Sequence, residues 1–183
     1  MNVVAFSGSL RTGSWNTRLL DLVVPALERR GVTVDRWDFR AANVPIYDPD
    51  VHDAAMPPQV LDLKERIRRA KGLVIVSPEF NYSIPGALKN LLDFLSRPPK
   101  DNPFRLKLSA QLGATPGPGG TLQGQLMLRH VLSGLGALTF PGAGTISRAA
   151  EAFDETGQLK DAAQRASLDG FLDRYVAELK LRP

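Results

Sequence analysis

Short apolar runs and helically spaced apolar residues alternate along the whole chain. Val3–Phe6 is a β-prone run ending in Ser7-Gly8-Ser9, after which Leu19, Leu20, Val23, Val24 and Leu27 recur with the spacing of one helix face. Pro25 falls inside that helix and predicts a kink, because proline has no N–H to give. Gly31 is placed to end the last turn. Val32, Val34 and Trp37 open a second strand, and a proline-rich stretch over 43–58 leads to a helix carrying Val60, Leu61, Leu63 and Ile67. Leu73-Val74-Ile75-Val76, bounded by Gly72 and Ser77-Pro78, reads as a central parallel strand covered on both faces. Leu88, Leu91, Leu92 and Leu95 stripe a third helix that ends near Pro98-Pro99. Leu106, Leu108, Ala110 and Leu112 alternate as a fourth strand, followed by a helix over 122–132 and a fifth strand over 137–140. A final helix carries Leu168, Phe171, Leu172, Tyr175, Val176 and Leu179.

Strands alternating with helices predict an α/β fold with a parallel sheet and helices on both faces. Without repeats or a long linker, residues 1–183 are expected to form one domain. In such sheets ligands bind beyond the carboxyl ends of the strands, where the strand order reverses. If the five strands run 2-1-3-4-5, the loops over 7–16, 77–85 and 115–120 converge on one edge.

Composition narrows the chemistry. The chain is 43% apolar and 23% charged, with a mean hydropathy of −0.13, as in ordinary folded proteins. The first apolar run is too short for a signal-peptide core, and no stretch of about 20 apolar residues occurs, so a cytoplasmic setting without membrane association is expected. There is no cysteine, which removes thiolate nucleophiles, thiolate metal sites and redox dithiols. Redox chemistry here must come from a bound cofactor. The net charge of +4 is concentrated in Lys64, Arg66, Arg68, Arg69 and Lys71, read as a solvated helix face rather than a nucleic-acid surface. His52 and His130 are too isolated to form a metal site or a catalytic triad, and no metal is expected.

Two segments carry candidate chemistry. Ser7-Gly-Ser-Leu-Arg-Thr-Gly-Ser-Trp-Asn-Thr17 follows a strand and opens a helix, so its amides, the helix dipole, the hydroxyls and Arg11 suit an anionic group. It has neither the Gly-x-Gly-x-x-Gly of dinucleotide folds nor the Lys-Ser/Thr ending of a P-loop. Ser77-Pro-Glu-Phe-Asn-Tyr-Ser-Ile-Pro-Gly86 brackets aromatic and polar residues between prolines, a stiff loop suited to a flat heterocycle.

Gly8-Ser-Leu-Arg-x-x-Ser-x-Asn16 and Pro78-Glu-Phe-Asn-Tyr-Ser-x-Pro-Gly-x-Leu-Lys-Asn90 together resemble the NADPH-dependent FMN reductase family, which includes chromate, quinone and azo-dye reductases. The resemblance implies a flavodoxin-like fold and FMN as cofactor. It implies that Ser9, Arg11, Ser14, Asn16 and Thr17 hold the phosphate and ribityl chain, and that Pro78, Glu79, Phe80, Asn81, Tyr82 and Ser83 run along the flavin ring. Thr115 and Gly117 stand where relatives place a Ser-x-Gly loop at the flavin edge. Phe80 departs from the usual Tyr, and the fourth strand is less apolar than usual. The implied activity passes two electrons from NADPH or NADH through FMN to a quinone, free flavin or similar small acceptor, with no obligatory catalytic side chain. The alternative is a flavodoxin-type electron carrier, against which the basic charge counts. Ile84 and Phe94, outside the leucine stripe of their helix, further predict a homodimer or homotetramer.

Overall fold

The run Leu73–Val76 lies in the middle of the sheet with every side chain buried. The computed structural model describes residues 1–52 and 55–182. Its elements are β1 (Asn2–Ser7), α1 (Trp15–Glu28), β2 (Thr33–Arg36), the short helices α2 (Phe39–Ala42) and α3 (Pro49–His52), α4 (Pro58–Arg69) and β3 (Gly72–Val76). There follow α5 (Gly86–Leu95), β4 (Leu108–Ala114), α6 (Leu122–Gly134), β5 (Leu138–Thr139), β6 (Gly144–Ile146), the short α7 (Ala149–Ala152) and α8 (Ala162–Lys180). The order is β2-β1-β3-β4-β5, all pairs parallel, with β6 pairing the upper half of β4. This is the flavodoxin-like arrangement the resemblance implies. None of the described helices is long and apolar enough to cross a membrane.

The two faces follow from the strand alternation. Val3, Ala5, Val74, Val76, Leu108, Ala110 and Leu112 pack under α1 and α8, whereas Val4, Phe6, Leu73 and Ile75 pack under α4, α5 and α6. The polar positions of the fourth strand point under α6: Ser109 and Gln111 are fully buried, with the Gln111 amide donating to the Ser109 hydroxyl at 2.9 Å and accepting from Arg129 Nε at 3.2 Å. Burial with hydrogen bonds accounts for a central strand less apolar than its place suggests.

Several expectations change. The fourth strand begins at Leu108, because Leu106 turns into the left-handed region (φ 61°), is exposed, and donates its N–H to Gly136. The expected fifth strand shortens to β5, and a sixth strand not foreseen, β6, follows beyond Pro141, which cannot donate to a ladder. The helix α1 continues through the exposed Pro25, while Gly31 takes a positive φ of 77° as expected of a terminating glycine. Ile84 and Phe94 are buried among the chain's own residues, Phe94 edge-on to Tyr47 and His52, so the motive for assembly drawn from them fails.

The basic run is not a uniform solvated face either. Lys64 is buried and paired with Asp101 at 3.0 Å, Arg66 bridges Asp35 and Asp62, and Arg68 pairs with Glu65 and Asp101.

Candidate flavin site

The carboxyl ends of β1, β3 and β4 are adjacent, and their loops are tied together. The Gly8 N–H donates to Val76 and the Ser77 N–H to Leu112, at 2.8 and 2.9 Å. Glycines permit this approach: a Cβ on Gly8 would sit 2.9 Å from Leu88, and one on Gly113 only 2.5 Å from the Ser77 carbonyl. The Gly113 contact, with backbone, is relieved only by displacing a strand end, whereas the one at Gly8 is with the end of the Leu88 side chain.

The loop after β1 divides the residues expected to hold phosphate into two groups. Ser9, Arg11 and Thr17 line a cavity of about 240 Å³, together with Ser7, Thr12 and Gly13. The Ser7 and Ser9 oxygens accept from the Ser9 and Arg11 N–H groups at 3.3 and 3.2 Å, which leaves their hydroxyl protons free to donate. The Arg11 guanidinium is exposed and has no hydrogen-bond or ion-pair partner among the described residues. Ser14 and Asn16 instead turn inward. Ser14 caps α1, accepting from the Asn16 N–H at 3.1 Å. The Asn16 side chain donates to the Ala114 carbonyl at 3.0 Å and accepts from its N–H at 2.9 Å, pinning the loop to the end of β4. The Asn16 amide is thus occupied at both ends in shaping the cradle, while the Ser14 hydroxyl, like those of Ser7 and Ser9, keeps its proton free.

The loop after β3 is a tight hairpin. Phe80 and Ser83 exchange N–H···O bonds of 2.9 and 3.0 Å, and Asn81 and Tyr82 between them have φ of 50° and 64°. Two positive φ values in succession make a type I′ turn, which suits Asn but costs an aromatic residue conformational energy. The turn leaves Phe80 58% and Tyr82 79% exposed, apolar faces presented at the rim. Glu79 points the other way, its carboxylate accepting from the Gly124 N–H at 2.9 Å in the first turn of α6. Gly124 lets the helix come that close, since a Cβ there would lie 3.2 Å from both Glu79 and the Ser83 carbonyl.

The third loop is zipped to the strand and turn beside it. Thr115 N–H donates to Ile146, Arg148 N–H to Gly117 and Ala149 N–H to Thr115, at 3.0, 3.0 and 2.9 Å. The Ser147 hydroxyl donates to Pro118 at 2.7 Å. Thr121 and Arg148 at its two ends also sit in the left-handed region, at φ 65° and 48°. Backbone strain therefore gathers along this edge, which is where ligand sites usually store it. Pro78–Ser83, Thr115 and Gly117 share the edge with the cavity but do not line it.

One wall went unnoticed in the sequence. Arg36, Trp37, Asp38, Phe39 and Arg40, at the end of β2, close the cavity opposite the loop residues in sequence. The same rule that singled out the other loops, ligands beyond carboxyl ends of strands, applies to this one, but the segment carries no glycine or proline signal that marks it as a loop. Among the described residues no cluster of three or more His, Asp or Glu side chains could hold a metal ion.

Residues 1–151 match the family model described as NADPH-dependent FMN reductase. An NAD(P)H-dependent FMN reductase of Pseudomonas aeruginosa is 40% identical over 167 residues, covering 90% of this chain and 88% of that protein. A quinone reductase of Escherichia coli is 40% identical over 142 residues, covering 75% and 72%. Among solved structures, the flavoenzyme NAD(P)H:(acceptor) oxidoreductase of Paracoccus denitrificans superposes with a TM-score of 0.84 at 30% identity, over 98% of this chain and 97% of that one. Motif, topology and these likenesses agree, and the chain belongs to the NADPH-dependent FMN reductase family.

Proposed function

We propose that this protein is an NAD(P)H-dependent, FMN-containing oxidoreductase that passes two electrons to quinones, free flavin or similar small acceptors. The observation that carries the reading is the cavity beside the end of β1, lined by the unpartnered Arg11 and by the buried hydroxyls of Ser7 and Ser9. Such a set of donors with a free guanidinium suits a terminal phosphate. When bound, FMN supplies a ring that accepts hydride from nicotinamide and returns electrons to an acceptor.

In this reading Ser9, Arg11 and Thr17 bind the phosphate, while Ser14 and Asn16 hold the loop that presents them. Pro78, Phe80, Asn81, Tyr82 and Ser83 offer a stiff backbone and exposed aromatic faces to the ring, and Glu79 braces that hairpin against α6. Thr115 and Gly117 approach the ring edge. The exposure of the hairpin leaves room for a flat donor and then a flat acceptor. No side chain is asked to transfer a proton.

Residues 1–183 act as one flavin-binding domain in the cytoplasm, a setting with which the lack of cysteine is compatible. The exposed Leu122, Leu126 and Met127 on α6 replace Ile84 and Phe94 as the motive for a homodimer or homotetramer. Light scattering should give a multiple of 19.9 kDa; a particle of that mass alone excludes the assembly. For activity, flavin absorbance is followed as NADPH or NADH is added without oxygen, and then a quinone. Bleaching followed by recovery is expected. A flavin that stays oxidised with both nucleotides, yet accepts electrons from a reductase protein, makes the chain an electron carrier instead.

A further inference from the structure

We propose that Arg40, on the wall contributed by the end of β2, is a second cationic determinant for the flavin phosphate and helps select phosphorylated flavin over riboflavin. The inference rests on the assignment of the cavity to that phosphate. Three arginines line the cavity: Arg11, Arg36 and Arg40. Arg36 is neutralised by Asp21 at 2.6 Å. Asp38, the one carboxylate in the lining, spends an oxygen as the cap of α2, accepting from the Ala41 N–H at 3.0 Å. Among the described residues no carboxylate forms an ion pair with Arg11 or Arg40. The lining therefore sets Arg11 and Arg40, neither held in an ion pair, against the single charge of Asp38, and the concavity stays net positive.

Arg40 is also placed to organise the loop that carries Arg11. Its Nη1 donates to the Leu10 carbonyl, the residue just before Arg11. A guanidinium has five N–H donors, so this bond leaves several for an anion. The helix bearing it is held at both ends, by the Asp38 cap and by Asn43 in the left-handed conformation (φ 45°). A neutral ligand end such as the ribityl hydroxyl of riboflavin would meet both guanidinium groups without supplying the charge they lack. A phosphate can accept from both, and charge-assisted hydrogen bonds are about twice as strong as neutral ones.

The test is a fluorescence titration of the flavin-depleted protein with FMN and with riboflavin, at low and moderate salt, for wild type, Arg11→Ala, Arg40→Gln and Arg40→Lys. Melting shifts with each flavin give a second readout independent of activity. Arg40→Gln should weaken FMN about tenfold while leaving riboflavin within about twofold, and should reduce the salt sensitivity of FMN binding. Arg40→Lys should keep most of the preference, since it keeps the charge. Equal losses for both flavins would mean that Arg40 only braces the loop, and an unchanged FMN-to-riboflavin ratio would mean that it contributes nothing; either result overturns the proposal. A wild-type protein that binds both flavins alike overturns the phosphate assignment itself, and this proposal with it. Should Arg40→Gln not fold, Arg40→Met replaces it and is judged by the same ratio.

Discussion

The two edges of the sheet use the same kinds of residues in opposite ways. At the amino-terminal edge, cations are answered by protein groups: Lys64 by Asp101, Arg66 by Asp35 and Asp62, and Lys107 by the carbonyls of Arg68 and Ala70 at the end of α4. Burial pushes the Lys107 ammonium below its ordinary pKa, and its two carbonyl partners keep that cost tolerable. At the carboxyl-terminal edge, Arg11 and Arg40 line a cavity whose carboxylate, Asp38, forms an ion pair with neither among the described residues. Satisfied groups contribute to folding, whereas a charge left without a partner at a concave surface makes sense when a ligand supplies the partner. Turn geometry is weighted the same way, since Asn81, Tyr82, Thr121 and Arg148 border the carboxyl-terminal loops, while Leu106 takes a left-handed conformation at the opposite edge.

That contrast makes substitutions at the two edges separable, beginning with the largest effect. Arg11→Ala should weaken FMN by about 1.5–3 kcal/mol, roughly 10- to 150-fold, and riboflavin far less, with no change in the melting temperature of the flavin-free protein. Fluorescence titration beside calorimetry checks it; a lower melting point with equal loss of both flavins would make the upper edge structural like the lower one. Gly72→Ala should do the reverse, because its Cβ would lie 2.5 Å from the Tyr175 hydroxyl and 2.7 Å from the Leu108 carbonyl. A loss of about 1–3 kcal/mol is expected in urea unfolding, with the ratio of FMN to riboflavin affinity unchanged.

Tyr175→Phe sharpens the comparison further. The buried hydroxyl faces the carbonyls of Leu73 and Leu108, at 3.1 and 3.2 Å, and seats α8 on β3 and β4. Its removal should cost about 1 kcal/mol by the same unfolding measurement. Burial also holds this phenol's pKa above its ordinary value, so its neutral form is the one that folds and its contribution falls in strong alkali.

The smallest effect belongs to Asp101, whose pKa is held below 3.8 chiefly by the hydrogen bond from Lys64, aided by Arg68. A carboxylate depressed on folding contributes stability above its ordinary pKa and loses it as pH falls through the lower folded value. Asp101→Asn should therefore cost less than about 1 kcal/mol near neutrality, the carboxylate being 47% exposed, and should flatten the acid limb of stability below about pH 4. An acid limb as steep as that of the parent protein would show that Lys64 is satisfied without it.

By itself the sequence determined what depends on near neighbours along the chain. The apolar run Leu73–Val76, the stripes of α1, α5 and α8, and the two motifs around Ser9–Asn16 and Pro78–Asn90 identify a parallel α/β sheet and its flavin edge, because periodicity and local motifs are written in adjacent residues. Tertiary structure decided which polar side chains remain available to a ligand. Asn16 meets a backbone 98 positions away and Glu79 one 45 positions away, so two residues that look like ligand contacts are occupied in holding loops together. Tertiary structure also decided that Ile84 and Phe94 belong to the core, and that Arg40, in a segment without a motif of its own, turns back onto the phosphate loop. Hydrogen bonds and burial are settled by which surfaces meet, and strand order across the sheet, rather than spacing along the chain, brings those surfaces together.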